Sequence, residues 1–184
     1  MVDASDAPDP ASDPAPDVPS EAESEALARA LSSPLRLRML RLCAWEARTN
    51  KELADLLEVN PGTMLHHVRT LVETGLLVAE PARAGTRGAR EVPYRATGRS
   101  WRAPRVPNQS IVLLETMRQQ IVGVDPADIE ASWLGLRLNQ EHLAELRDRL
   151  YGLLEEFKQR GPDADGDTFS LVTVLHPDLN PPAS

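Results

Sequence analysis

Thr63, His66, Arg69 and Thr70 follow one another at the spacing that brings side chains to one side of a helix. They offer a hydroxyl, an imidazole, a guanidinium and a second hydroxyl. These are donors and acceptors of the kind that read base edges or hold phosphate. Further along, the stretch PARAGTRGAR carries Arg83, Arg87 and Arg90, three forks whose geometry suits phosphate oxygens. Upstream, Arg36, Thr49 and Lys51 add further candidates for phosphate contact. Catalytic patterns are missing from the sequence. There is no glycine-rich phosphate loop, no nucleophile elbow and no carboxylate pair in a recognisable setting, so the chain is not expected to be an enzyme.

Two helices must position the first group. Thr49 followed by Glu52 is a capping box, in which hydroxyl and carboxylate each satisfy a free backbone N–H. Leu53, Leu56 and Leu57 then share one face. Asn60-Pro61 opens a second helix, with a polar cap before a residue of preset φ. Gly75 ends it where a left-handed residue is wanted. Taking Met64 as the centre of the buried face, Val68 and Leu71 join it, while Gly62, His66, Arg69 and Thr70 face away and Thr63 stands in the first turn. Helix, turn, helix is the shape that enters the major groove of DNA, and also that of an αα-hairpin in any helical domain.

Charge separates those readings. The chain of 184 residues carries a net charge of −8. Residues 1–25 hold eight acids and no base, and residues 106–184 are also acidic, at −7. Between them, residues 26–105 carry fourteen bases against seven acids, a net +7. A basic module between acidic flanks is an electrostatic footprint for nucleic acid that the average conceals.

Residues 1–20, rich in Ala, Asp and Pro, are too poor in large apolar side chains to order and are expected to be a disordered acidic tail. From Glu21 the pattern turns helical, with Leu27 and Leu31 on one face, and Pro34 closes that helix and opens the next. The second helix, Leu35 to about Glu46, is apolar on most sides, as in a core-sandwiched helix. Leu76 to Ala79 and Glu91 to Ala96 read as paired strands, with Pro93 confining the latter to an edge. The arginine-bearing tip between them looks like the wing of a winged helix. A linker spans residues 98–109, and a helix capped by Ser110 follows from Ile111 to about Val122. Beyond Asp125-Pro126, residues 133–138 and 168–175 alternate like strands. They flank an amphipathic helix capped by Asn139 and stopped by Gly161.

Residues 26–97 resemble the winged helix-turn-helix of ArsR-like bacterial transcription regulators. The resemblance rests on residues 30–40, Thr49 to Leu56, residues 63–71 and Gly75-Leu76-Leu77. It implies a homodimer that binds a near-palindromic operator in double-stranded DNA, often as a repressor released by a signal. By the same resemblance, helices flanking the winged module pair across the dimer axis. Leu27, Leu31, Ile111, Leu114, Met117 and Ile121 are the residues expected there. The family's metal sensors carry paired cysteines in the first helix of the motif. Lys51 to Glu58 has none, and Cys43 lies earlier in an apolar helix, so neither metal nor other cofactor is expected.

The expected architecture is mostly α with small β. A winged helix-turn-helix DNA-binding domain (21–97) and the linker precede a dimerisation helix and a small strand-helix-strand C-terminal unit, a domain of dimerisation or effector binding at 110–184. The single cysteine fits a reducing compartment, and no apolar run reaches the ~18 residues of a membrane span. The N-terminus lacks the basic and apolar stretches of a signal peptide. A cytoplasmic protein is expected, with DNA and a second copy as partners and a small-molecule effector left open. The alternative is a protein-interaction module that uses the winged helix without specific DNA binding.

Overall fold

The computed structural model describes residues 20–85, 90–103 and 108–179, apart from the Arg102 side chain. Arg87 and nearly all of the acidic N-terminal tail lie outside the described residues. The chain divides into two compact units, the boundary falling after Leu113.

In the first unit, α1 (Glu21–Leu31) starts at a capping box between Ser20 and Glu23. Pro34 then stands at the start of α2 (Pro34–Trp45), whose cap is Ser33, so the proline closes one helix and opens the next. A two-residue strand, β1 (Arg48–Thr49), leads into α3 (Asn50–Leu57), and α4 (Pro61–Glu73) follows a short turn. The Thr49–Glu52 capping box is formed, and Asn60 caps α4 through its bond from the Gly62 N–H.

Strands β2 (Leu77–Ala79), β3 (Arg83–Ala84), β4 (Arg90–Glu91) and β5 (Pro93–Ala96) complete the module. β2 pairs with β5 and β3 with β4, all antiparallel, so the chain runs out along a hairpin and back. β1 joins the other side of β5 and makes it the central strand. Pro93 was expected to confine this strand to an edge. It instead begins a central strand, a position where a missing N–H is tolerated, and its carbonyl accepts from the Glu80 N–H at 2.9 Å.

One core joins these elements: Leu27, Ala30 and Leu31 of α1, Met39, Leu40 and Cys43 of α2, Leu53, Ala54 and Leu57 of α3, and Met64, Val68 and Leu71 of α4, closed by Leu76 and Leu77. Leu27 and Leu31 are 5% and 1% exposed, so they are core residues, not members of an open dimer face. Their helix spends its single apolar stripe on α2. Leu56, expected beside Leu53, is half exposed, and Ala54 takes the buried place.

Residues 98–109 contain a one-turn helix, α5 (Arg99–Arg102). α6 (Gln109–Ile121) starts two residues before Ile111, with Ser110 inside it and not at its cap; the carbonyl of Asn108 already accepts from the Val112 N–H. In the second unit a 3-10 turn (Pro126–Asp128) precedes α7 (Gln140–Arg160), which Asn139 caps and Gly161 ends.

The segments 133–138 and 168–175 form no strand in the described residues, so the strand-helix-strand unit is a helix with irregular flanks. Alternation makes a strand only where a neighbouring backbone completes the ladder. Large apolar residues of both segments, Trp133 and Phe169, are 91% and 86% exposed.

Candidate nucleic-acid interface

Three buried residues orient α4. Met64, Val68 and Leu71 are at most 1% exposed and fix which side of the helix faces the core. Thr63, His66 and Arg69 consequently stand on the opposite, exposed side. No ion pair or hydrogen bond engages the Arg69 side chain within the described residues, so its guanidinium is open to a partner. Thr70 is half-buried, and its hydroxyl donates to the His66 carbonyl at 3.2 Å, leaving its oxygen available as an acceptor.

The aim of α4 is set at both ends. At its start, the Asn50 side-chain amide donates to the Pro61 carbonyl at 3.1 Å and ties the first turns of α3 and α4 together. At its end, the Leu76 N–H reaches the Leu71 carbonyl at 2.8 Å and the Gly75 N–H reaches Val72 at 2.9 Å. This is the paired-bond helix stop that requires a left-handed residue, and Gly75 supplies it with φ of +66°.

Further basic groups stand on α3 and the hairpin with different degrees of freedom. Lys51 is exposed and pairs with Asp55 at 2.8 Å; that carboxylate holds its ammonium above the usual lysine range. Arg83, on the outgoing strand of the hairpin, donates to Glu52 at 2.6 Å. Glu52 thus both caps α3 and steadies the wing, and its carboxyl is held below the usual range first by the Thr49 backbone N–H, with Arg83 assisting. Both pairs are largely exposed, so phosphate could replace the carboxylates at small cost. Arg90 is exposed at the start of the returning strand.

Two of the expected contacts are not on this face. Thr49 is 2% exposed, its hydroxyl accepting from the Glu52 N–H and its backbone held in β1. Arg36 turns inward: its Nε donates to the Ala30 carbonyl and its Nη2 to the Arg29 carbonyl, each at 2.5 Å, closing the end of α1. Its Nη1 lies 3.4 Å from Nδ1 of His67. Burial, with Arg36 and His66 adding, holds the His67 imidazole below its ordinary range, so the ring accepts from Arg36 in its neutral form. His66 meets it edge-on, the ring centres 5.6 Å apart. The sequence carried no signal for the reach of Asn50 to Pro61 or of Glu52 to Arg83, since each joins residues far apart along the chain.

Cys43 is fully buried, and burial pushes its thiol up to about 11. Among the described residues, no three His, Cys, Asp or Glu side chains come together in a way that could hold a metal ion.

A family model described as a helix-turn-helix domain matches residues 31–80, from the end of α1 through β2. This segment is a helix-turn-helix domain. With the antiparallel hairpin that follows, it has winged helix-turn-helix form. No curated protein matches the chain. Among solved structures, an ArsR-like transcriptional regulator from Rhodococcus sp. RHA1 is similar at 19% identity, over 77% of this chain and 94% of that one, with a TM-score of 0.37. The homodimeric winged helix-turn-helix DNA-binding domain Mb0332 of Mycobacterium bovis, a possible ArsR-family regulator, is 22% identical over 61% of this chain and 89% of that one, at a TM-score of 0.36. TM-scores this low equate the arrangement of the whole chain with neither protein. No described helix is long and apolar enough to cross a membrane.

Proposed function

We propose that this chain is a sequence-specific transcription regulator, a homodimeric repressor that binds a near-palindromic operator in double-stranded DNA. One observation carries the reading. Thr63, His66 and Arg69 occupy the exposed side of a helix whose other side is pinned in the core, within a helix-turn-helix domain. Thr63, His66, Arg69 and Thr70 read base edges from the major groove. Lys51, Arg83 and Arg90 hold phosphates, and Arg87, outside the described residues, extends the same basic wing. The net +7 of residues 26–105 supports the electrostatic part of this reading.

A palindromic operator needs two recognition helices about one turn, ~34 Å, apart, which a dimer supplies. α6 contributes the apolar surface for it: Ile111 and Ile121 are exposed, and Leu114 and Met117 half-buried. The protein works in the cytoplasm without a metal or other cofactor, performs no catalysis and has no membrane partner.

The test is an electrophoretic shift with DNA from upstream of the protein's own gene and with random DNA, each at two salt concentrations. Preference for the upstream DNA that survives added salt supports the proposal. Equal binding to both sequences, or none, would overturn it in favour of a protein-docking module.

A further inference from the structure

The longest helix among the described residues, α7, has 21 residues, and none of them is buried. Five of its large apolar residues nevertheless keep strict order. Leu143, Leu146, Leu150, Leu153 and Phe157 alternate steps of three and four, the seam of a coiled coil. Leu153 and Phe157 are 50% and 55% exposed, while Leu143, Leu146 and Leu150 are half-buried. We infer that α7 pairs in antiparallel orientation with α7 of a second copy of this chain.

Charge selects both partner and direction. With Leu143, Leu150 and Phe157 as the a positions and Leu146 and Leu153 as the d positions, Arg149 and Glu156 are successive g residues. An antiparallel pair sets Leu150 against Leu153 of the other copy and Leu146 against Phe157. The same register brings Arg149 of each copy beside Glu156 of the other, twice by symmetry. It also lays the apolar stem of Arg147 on Leu154. A parallel pair would put Arg149 beside Leu154 and His142 beside Arg147, with no opposite charges meeting. The surface is therefore self-complementary in one orientation, as a two-fold interface requires. Within the helix, Arg149 pairs with Glu145 at 3.3 Å and Arg160 with Glu156 at 3.1 Å. Both are exposed pairs that cost little to exchange.

The seam is shorter than the roughly three to four heptads of a self-sufficient coiled coil. It adds to the homodimer proposed above and rests on that reading.

Cross-linking of the full-length chain tests it, with Leu146→Cys and Phe157→Cys made singly and together. Mild oxidation should link the double variant into a covalent dimer and neither single variant, with the buried Cys43 silent in the parent protein. A single variant that links to itself would mean parallel pairing and overturn the inference. So would absence of any link in a protein that sediments as a dimer, an outcome that leaves the DNA-binding homodimer standing. Conversely, a linked dimer that ignores upstream DNA would sink that function and keep the pairing.

Charge exchange provides a second test that leaves the apolar seam unchanged. Arg149→Glu should weaken self-association roughly tenfold, and adding Glu156→Arg should restore it. If those charges served only their own helix, the double variant would be worse than the single one. Arg149→Glu sets an acid beside Glu145, and Glu156→Arg then adds a base beside Arg160.

Discussion

Arg69 presents a guanidinium on the open side of α4, with no acid engaged to it among the described residues. Replacing it with alanine should weaken binding to the cognate operator more than to random DNA, by about 1–3 kcal/mol on the cognate site. Equal loss on both would remove Arg69 from the reading set. Arg90→Ala should weaken both and reduce the salt slope by about 0.9 for the one lost phosphate contact. His67 makes a different prediction. Its imidazole is held below the ordinary value of 6.5, so the unfolded chain takes up this proton first as pH falls. The contribution to stability is complete above that value and drains away below it, before carboxylates with an ordinary value of 4.5 titrate. Urea unfolding between about pH 7 and 5.5 should show stability falling with acid, and His67→Gln should flatten the trend. The Cys43 thiol, pushed up to about 11, should resist alkylation in the folded protein and react only on unfolding.

Helix ends decide the geometry at the next scale. α3 closes on Glu58, a non-glycine residue at φ of 54°. Glu58→Gly should relieve that conformation and raise stability by about 0.5–1 kcal/mol, measured by chemical unfolding, because only glycine enters this region freely. Gly75→Ala should do the reverse, because φ there is +66°, where an L side chain is strained; the Arg99 guanidinium, 2.5 Å from the new methyl, can swing aside. These ends were legible in the sequence. Thr49 with Glu52, Asn60 with Pro61, Gly75, and Asn139 with Gly161 each act through neighbours within four residues or through their own backbone. Less legible were elements whose fate depends on distant chain. Leu27 and Leu31 carry an apolar stripe that is the same whether it meets α2 or another molecule. Residues 133–138 alternate as a strand does, and nothing local reveals that no ladder forms. Arg36 had the side chain for phosphate, but carbonyls at the end of α1 claim it. On the outer side of α4, the exposure of Thr63, His66 and Arg69 followed from helical spacing alone, because burial of Met64 decides the whole circumference.

For the whole molecule, charge and apolar surface are distributed unevenly. The basic helix-turn-helix region is bordered along the chain by sequence of opposite sign. Open apolar surface lies on α6 and α7, where a second copy would cover it, and also in the irregular flanks of α7, as at Trp133 and Phe169. If the dimer is the folded state, association and folding are linked. The thermal midpoint should then rise with protein concentration across a hundredfold dilution series, and a midpoint independent of concentration would count against it.

The bond from Asn50 to the Pro61 carbonyl has a consequence for how such a protein changes its target. It holds α4 by the backbone of its first residue, and Met64, Val68 and Leu71 hold it from beneath. Neither support involves positions 63, 66 or 69. On the proposed reading, positions 63, 66 and 69 can therefore change, and with them the sequence bound, without rebuilding the supports that aim α4.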